Sequence, residues 1–461
     1  MKLLQKIFSI KNENNHKVLR LLGLKIKFKS TKKILLNKLN KLIQDCQNNS
    51  LMGELKCLSL ERSHLQVCKQ LKFYMSKKKP TVVMLIYHRA HWAMDSIYNE
   101  MLKEDFDVSI MVLPAMEMEE SLREQEFNEN CLFFEQLGYN VKKGYDFQKC
   151  EIYDLNTNLP DIIIYQTHWM WDYPPEYDVK NFYNRALCIS IPYGFFLANI
   201  QQAQFNQDFH NLVWLNCAET YISKKMAEIY AKNRGENVLV TGYSKMDNLY
   251  LNSNDYRWKN SENKKIIWAP HYSINTDYEI NYANFHRYYK NLYDYTSQSK
   301  KIDMLLKPHP MLKSRCIQTK TLTDEAYEEY MLKWQNLENG IYENRGAYLD
   351  IFKTSDAMIL DSISYIAEYL YTQKPICFIS KFNDKNELLQ HFNELGQLVI
   401  QQCYIAHNWD EIVNFIEDVV INGNDYMLEQ RKDFYNKYLA LNSGCVGKYI
   451  VEKIKKDLLL K

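Results

Sequence analysis

Leu305-Leu306-Lys307-Pro308-His309-Pro310 and Asp361-Ser362-Ile363-Ser364-Tyr365-Ile366-Ala367-Glu368 decide how this chain reads. The first segment closes the apolar run from Ile302 to Leu306. Two prolines around one histidine cannot continue a strand, so they set a rigid turn at its end. The second follows another apolar run, Ala357-Met358-Ile359-Leu360, and passes from Asp-Ser into a helical pattern at Ile366, Tyr369 and Leu370. That order predicts strand, tight turn and helix N-terminus. A helix N-terminus presents unpaired N–H groups and positive partial charge, which suits a diphosphate. Glu368 then lies one turn into the helix, within reach of a ribose hydroxyl, and Pro375 to Ile379 supplies the next buried strand. Taken singly, Asp361 and Ser362 read as helix caps and His309 as a turn residue. Together, on consecutive strand ends of an α/β pattern, they predict a nucleotide-diphosphate site at the carboxyl edge of a parallel sheet.

These residues resemble a known family. The Lys307-Pro308-His309-Pro310 turn, the run Asp350 to Asp356, the Asp361-x-x-Ser364 turn and the Lys374-Pro375 strand start are similar to those of the CDP-glycerol glycerophosphotransferases of teichoic-acid and capsule synthesis. Val240-Thr241-Gly242-Tyr243-Ser244-Lys245-Met246-Asp247 resembles that family's Gly-Tyr-Pro-Arg-x-Asp segment, and Trp268-Ala269-Pro270-His271 its Ala-Pro-Thr strand end. The resemblance covers roughly residues 160 to 380 and implies a GT-B-like fold of two doubly wound Rossmann-type domains facing a cleft. It implies donor contacts from Lys307, Asp361, Ser362, Ser364 and Glu368, further roles for Gly242 and Asp247, and an acceptor side near Tyr193, Gly194 and His168. One departure matters. Where the family carries His-Gly, with the His as acceptor-side base, this chain has Tyr193-Gly194. A phenol with a free pKa near 10 is a poor base at neutral pH. His271, at the Ala-Pro-His strand end, is the substitute expected here, with His309 pairing to phosphate.

The rest of the chain fits two large domains with appendages. Of its 461 residues, 46% are hydrophobic and 25% charged, as in proteins that bury substantial cores. Its 11 cysteines form no C-x-x-C pair, which argues for reduced thiols and against a structural zinc site. No apolar run reaches transmembrane length and no signal-peptide core is present, so a cytoplasmic protein is expected. The overall charge of +2 conceals an asymmetry, because residues 1–50 carry twelve Lys or Arg against Glu13 and Asp45. Leu24-Lys25-Ile26-Lys27-Phe28-Lys29 alternates as a half-buried strand does. Ile34, Leu35, Leu39, Leu42 and Ile43 share a helical face flanked by Lys32, Lys33, Lys38 and Lys41. Such a leader suits peripheral contact with the anionic inner membrane surface, or docking on the protein with its basic face in water.

The expected organisation is a basic leader over 1–79, an acceptor-side α/β domain over 80–250, a donor domain over 264–445 and a charged helix over 446–461. Strands are predicted at 81–87, 107–113, 162–165, 187–192, 213–216, 238–241, 264–270, 302–306, 357–360 and 375–379. The polar stretch 243–264 reads as the end of the first domain and a linker. His88 and His91 close the first strand and read as a surface turn or an acceptor contact. Trp169 and Trp171, after another strand end, suit either a sugar ring or the core. No P-loop and no G-x-G-x-x-G is present, so no cofactor is expected and phosphate must rely on helix N-termini. No carboxylate cluster is placed to hold Mg²⁺. Basic charge confined to the leader argues against nucleic-acid binding.

Three functions remain open at this level. One is transfer of glycerol phosphate from CDP-glycerol, or another nucleotide-linked donor, to a glycan or lipid-linked acceptor. A second is glycosyl transfer from a nucleotide sugar. The third is a non-catalytic glycan-binding relative, motivated by Tyr193.

Overall fold

The computed structural model describes the backbone of residues 8–13, 16–21 and 24–28, together with residues 60, 63–73, 79–251, 258–274, 281–344, 348–363 and 365–458. Residues 1–61 and 62–461 form separate compact units. In the first unit, strands Phe8–Glu13, His16–Leu21 and Leu24–Phe28 make a three-stranded antiparallel sheet. The register pairs Phe8 with Leu21 and Lys17 with Phe28. Only the third strand had a sequence signal. The leader helix expected around Ile34 to Ile43 lies outside the described residues.

The second unit holds two parallel sheets, here called lobes. Short apolar runs such as Thr81–Ile86 and Ile162–Tyr165 are buried on both faces, as strands of a parallel sheet must be. The first sheet has seven strands in the order Val238–Val240, Leu215–Ala218, Leu187–Ser190, Ile162–Tyr165, Thr81–Ile86, Asp107–Val112 and Val141–Lys143. The second has six, ordered Gly340–Tyr342, Ile302–Leu306, Lys264–Ala269, Ala357–Leu360, Ile376–Ile379 and Tyr404–Ala406. Both are the doubly wound arrangement, and the fold is GT-B-like. Val141–Lys143, Gly340–Tyr342 and Tyr404–Ala406 carried no sequence signal. Each is a three-residue edge strand, too short to stand out.

The helix over 63–73, read as part of the leader, packs Val67 and Leu71 into the core of the first lobe. Helix Val446–Leu458 also returns there, burying Ile450, Val451 and Ile454 against Asp95–Lys103. Its lysines face outward, so the charged sequence conceals an apolar stripe. Among the described residues, no helix is long and apolar enough to cross a membrane.

Candidate functional site

In the second sheet the strand order reverses between Lys264–Ala269 and Ala357–Leu360. In a doubly wound sheet such a reversal is the switch point, where connections to opposite faces leave a crevice at the carboxyl ends of the strands. The ends carry Pro270-His271 and Asp361-Ser362, and the adjacent strand adds Lys307-Pro308-His309. Asp361 holds the crevice together. Its Oδ1 accepts the His271 backbone N–H at 2.6 Å, and its other oxygen accepts the N–H of Asn284. Burial raises this carboxyl to about 7. His271 is buried, with Nδ1 2.8 Å from Ser273 Oγ. Nδ1 also accepts the Ser273 backbone N–H at 3.3 Å, and Ser273 Oγ accepts from Tyr282 N–H at 2.9 Å, so Nδ1 carries the lone pair and Nε2 the proton. Burial, and then the neighbouring His309, hold its pKa well below the ordinary value.

The His309 backbone N–H donates to Pro270 O at 3.0 Å, and its Nδ1 accepts from Met311 N at 3.2 Å. Its ring centroid lies 5.2 Å from that of His271 and 4.6 Å from that of Tyr272. Burial pushes the pKa of His309 down to about 4, so the imidazole is neutral at pH 7. Lys307 is buried, its N–H donating to Trp268 O at 2.8 Å, and Ser362 is buried beside Asp361. Ser364 lies outside the described residues.

Two expectations change here. The helix after Asp361 spans only Ile366–Tyr369, with a turn between. Four peptide units sum to a weak dipole, so helix N–H groups contribute less to a diphosphate than the sequence suggested. Glu368 is directed to the protein rather than toward a ribose. It is 2% exposed, with Oε1 accepting from Tyr243 Oη at 2.9 Å and Oε2 from the Tyr348 hydroxyl.

The segment that read as a linker is an interlobe brace. Ser244–Tyr250 forms a buried helical turn whose polar groups find partners. Ser244 Oγ donates to Ala93 O at 2.6 Å, and Lys245 Nζ to Ala90 O at 3.3 Å. Asp247 accepts the N–H groups of Val446 and Gly447 at 3.0 and 2.9 Å, which caps the returning helix. Gly242 has φ +85°, and a Cβ there would stand 2.3 Å from Leu441 O. Both residues therefore serve the join between lobes.

In the first sheet the order reverses between Thr81–Ile86 and Ile162–Tyr165. Beyond the first strand, His88 Nδ1 lies 3.7 Å from Glu126 Oε1. Charge on His88 is one of the influences that lower His309, after burial, so the two histidines act on each other across the cleft. His91 stacks 4.4 Å from Tyr193, whose hydroxyl accepts from Trp169 Nε1 at 3.1 Å. Burial raises the Tyr193 pKa further, which removes it as a base. Beside it, a Cβ on Gly194 would meet no atom within 4 Å. His168 lies behind them, its ring centroid 3.9 Å from that of Trp169 and 4.8 Å from that of Phe196. It lines an internal cavity of about 30 Å³ with Gln166, His210 and Glu219. Sequence reasoning missed Glu126, Tyr243 and Lys245 as partners, because each acts on residues distant in the chain. Among the described residues, no group of three or more His, Cys, Asp or Glu could hold a metal ion.

No family model matches the sequence, and no curated protein does. Solved structures do match the fold. A variant of the wall teichoic acid polymerase TagF aligns at TM-score 0.55 and 15% identity, over 89% of this chain and 98% of that one. A TagF structure soaked with CDPG aligns at TM-score 0.55 and 14% identity over the same shares, 89% and 98%. The S. aureus MnaA–UDP co-structure aligns at TM-score 0.53 and 14% identity, covering 83% of this chain and 98% of that one. The likeness that the motifs drew to glycerophosphotransferases thus extends to the fold.

Proposed function

We propose that this chain is a transferase that moves glycerol phosphate from CDP-glycerol to a glycan or lipid-linked acceptor. The observation that carries the reading is the convergence of His271, His309, Lys307 and Ser362 on one switch-point crevice, with His88 of the first lobe opposite. The motif resemblance and the shared fold with a CDPG-soaked TagF support the choice of donor. In the reaction an acceptor hydroxyl attacks the phosphorus that bears glycerol. The bond from that phosphorus to the bridging oxygen breaks, CMP leaves with the electron pair, and the hydroxyl proton passes to a base. His271 takes that proton on Nε2 after its ring changes from the Nε2–H tautomer that Ser273 holds. A bound diphosphate raises His309 toward its charged form, so that it pairs with the leaving phosphate. Lys307 and Ser362 add donors at the same strand ends, where Asp361 fixes the backbone of His271.

Incubation with CDP-glycerol and with nucleotide sugars, followed by identification of the released nucleotide, tests this. CMP is expected, and a nucleoside diphosphate would favour glycosyl transfer, the reading closer to the UDP-bound MnaA neighbour. General-base catalysis contributes 10²–10⁴-fold, so His271→Ala should lose about that much kcat while keeping donor affinity. CMP release at the wild-type rate in His309→Ala would remove the centre of the proposal. The basic leader is proposed to hold the enzyme peripherally on an anionic membrane face.

A further inference from the structure

A row of aromatic rings runs along the carboxyl edge of the first lobe and has no part in the chemistry above. Trp171 is 63% exposed and leans on Trp169, with ring centroids 4.8 Å apart. Trp169 binds the Tyr193 hydroxyl, and Tyr193 stacks on His91. The row therefore leads from solvent to the position where the resemblance implies an acceptor-side base. Beside it lies Asp172, only 3% exposed. Its Oδ2 accepts from Tyr87 Oη at 2.9 Å, while Oδ1 has no hydrogen-bond partner in the protein. Its neighbour is Glu117, just ahead of the helix that begins at Glu120. Burial and Asp172 push the Glu117 carboxyl up to about 7. His91 Nδ1 is likewise unpartnered.

We infer that Trp171, Trp169, Tyr193, Asp172 and Glu117 form a platform for a neutral sugar ring, so that the acceptor is a glycan and not a growing polyanion. Its role as the acceptor site rests on the transfer proposed above, whereas the platform itself rests on this geometry. A pyranose offers a C–H face that packs on indole and phenol rings, and rim hydroxyls that donate to carboxylates. A buried carboxylate oxygen without a partner is costly unless a ligand donor reaches it. The cations at this place are engaged. Arg123 donates to the carbonyls of Ala115, Met116 and Met118, and Lys245 to Ala90 O. A glycerol phosphate chain lacks the ring C–H face that these indole and phenol rings take, which disfavours it here.

Saturation-transfer NMR on the full chain, with methyl hexopyranosides and with tri(glycerol phosphate) as probes, tests the platform. Hexoside ring protons should receive saturation, falling at least fivefold in Trp171→Ala and also falling in Glu117→Gln. Both side chains are exposed, and circular dichroism checks that the variants fold. Hexoside signals unchanged in Trp171→Ala, no signal from any hexoside, or an equal signal from tri(glycerol phosphate) would each overturn the inference. Calorimetry with CDP-glycerol separates the two proposals. A chain that binds hexosides through Trp171 but not CDP-glycerol would end the transfer reading and leave the platform standing.

Discussion

Tyr243 of the first lobe donates its hydroxyl to Glu368 Oε1 of the second at 2.9 Å, and the same hydroxyl lies 2.6 Å from Tyr193 O. Lys245 is the charged neighbour that favours the ionised carboxylate, against a burial that raises its pKa. This contact joins the lobes directly behind the cleft.

Glu368→Ala should therefore act on stability before affinity. It leaves the buried Tyr348 hydroxyl without an acceptor, at a cost of about 1–3 kcal/mol, while Tyr243 keeps Tyr193 O as its acceptor. Urea denaturation should show the loss, with a smaller one for Tyr243→Phe. An unchanged midpoint together with weakened CDP-glycerol binding would restore Glu368 to the ribose.

The cap on the returning helix can be removed separately. Asp247→Ala should cost about 0.5–2 kcal/mol, the usual range for losing an N-terminal cap. Gly242→Ala should cost more, since a Cβ would meet Leu441 O while φ is held at +85°. Thermal melts that rank the two in the opposite order would contradict the packing at this join.

Acid should weaken the fold through buried histidines. His91 is held at about 3, and His210 and His309 at about 4, all chiefly by burial. Between those values and the unfolded pKa near 6.5, the unfolded chain binds more protons. Stability from these groups thus rises with pH up to about 6.5 and is flat above. Glu219 and Asp361, both raised to about 7, work in the opposite direction over the same window. The His210 part is isolated by His210→Gln, which should flatten the slope by up to about 1.4 kcal/mol per pH unit. An identical slope in the variant would mean that His210 is not buried in its neutral form.

His88 and His309 offer a test of the cleft itself. Removing the first-lobe ring in His88→Ala should raise the pKa of His309, which NMR titration can follow. No movement would place the two rings farther apart than the structure has them.

The leader should respond to salt. Pelleting of the full chain with anionic vesicles should weaken at high ionic strength, since charges separated by more than about 10 Å are screened at 0.1 M. Substituting Lys32, Lys33, Lys38 and Lys41 by Gln should have the same effect at low salt. Equal pelleting of this variant would exclude that helix as the contact.

The sequence alone determined whatever depends on neighbouring residues. Apolar runs ending in Lys307-Pro308-His309-Pro310, Pro270-His271 and Asp361-Ser362 mark strand ends, because prolines and polar turn residues stop a strand wherever it lies. Alternation of such strands with helices implied two parallel sheets. Only the tertiary structure decided what those residues face. Tyr243 and Glu368 stand 125 positions apart, so nothing local shows that the carboxylate is already taken up by the protein. The lowered pKa of His309 likewise comes from burial and from His88 on the opposite lobe, neither visible in a Pro-His-Pro turn. Turn chemistry is local, whereas desolvation and pairing belong to the assembled cleft.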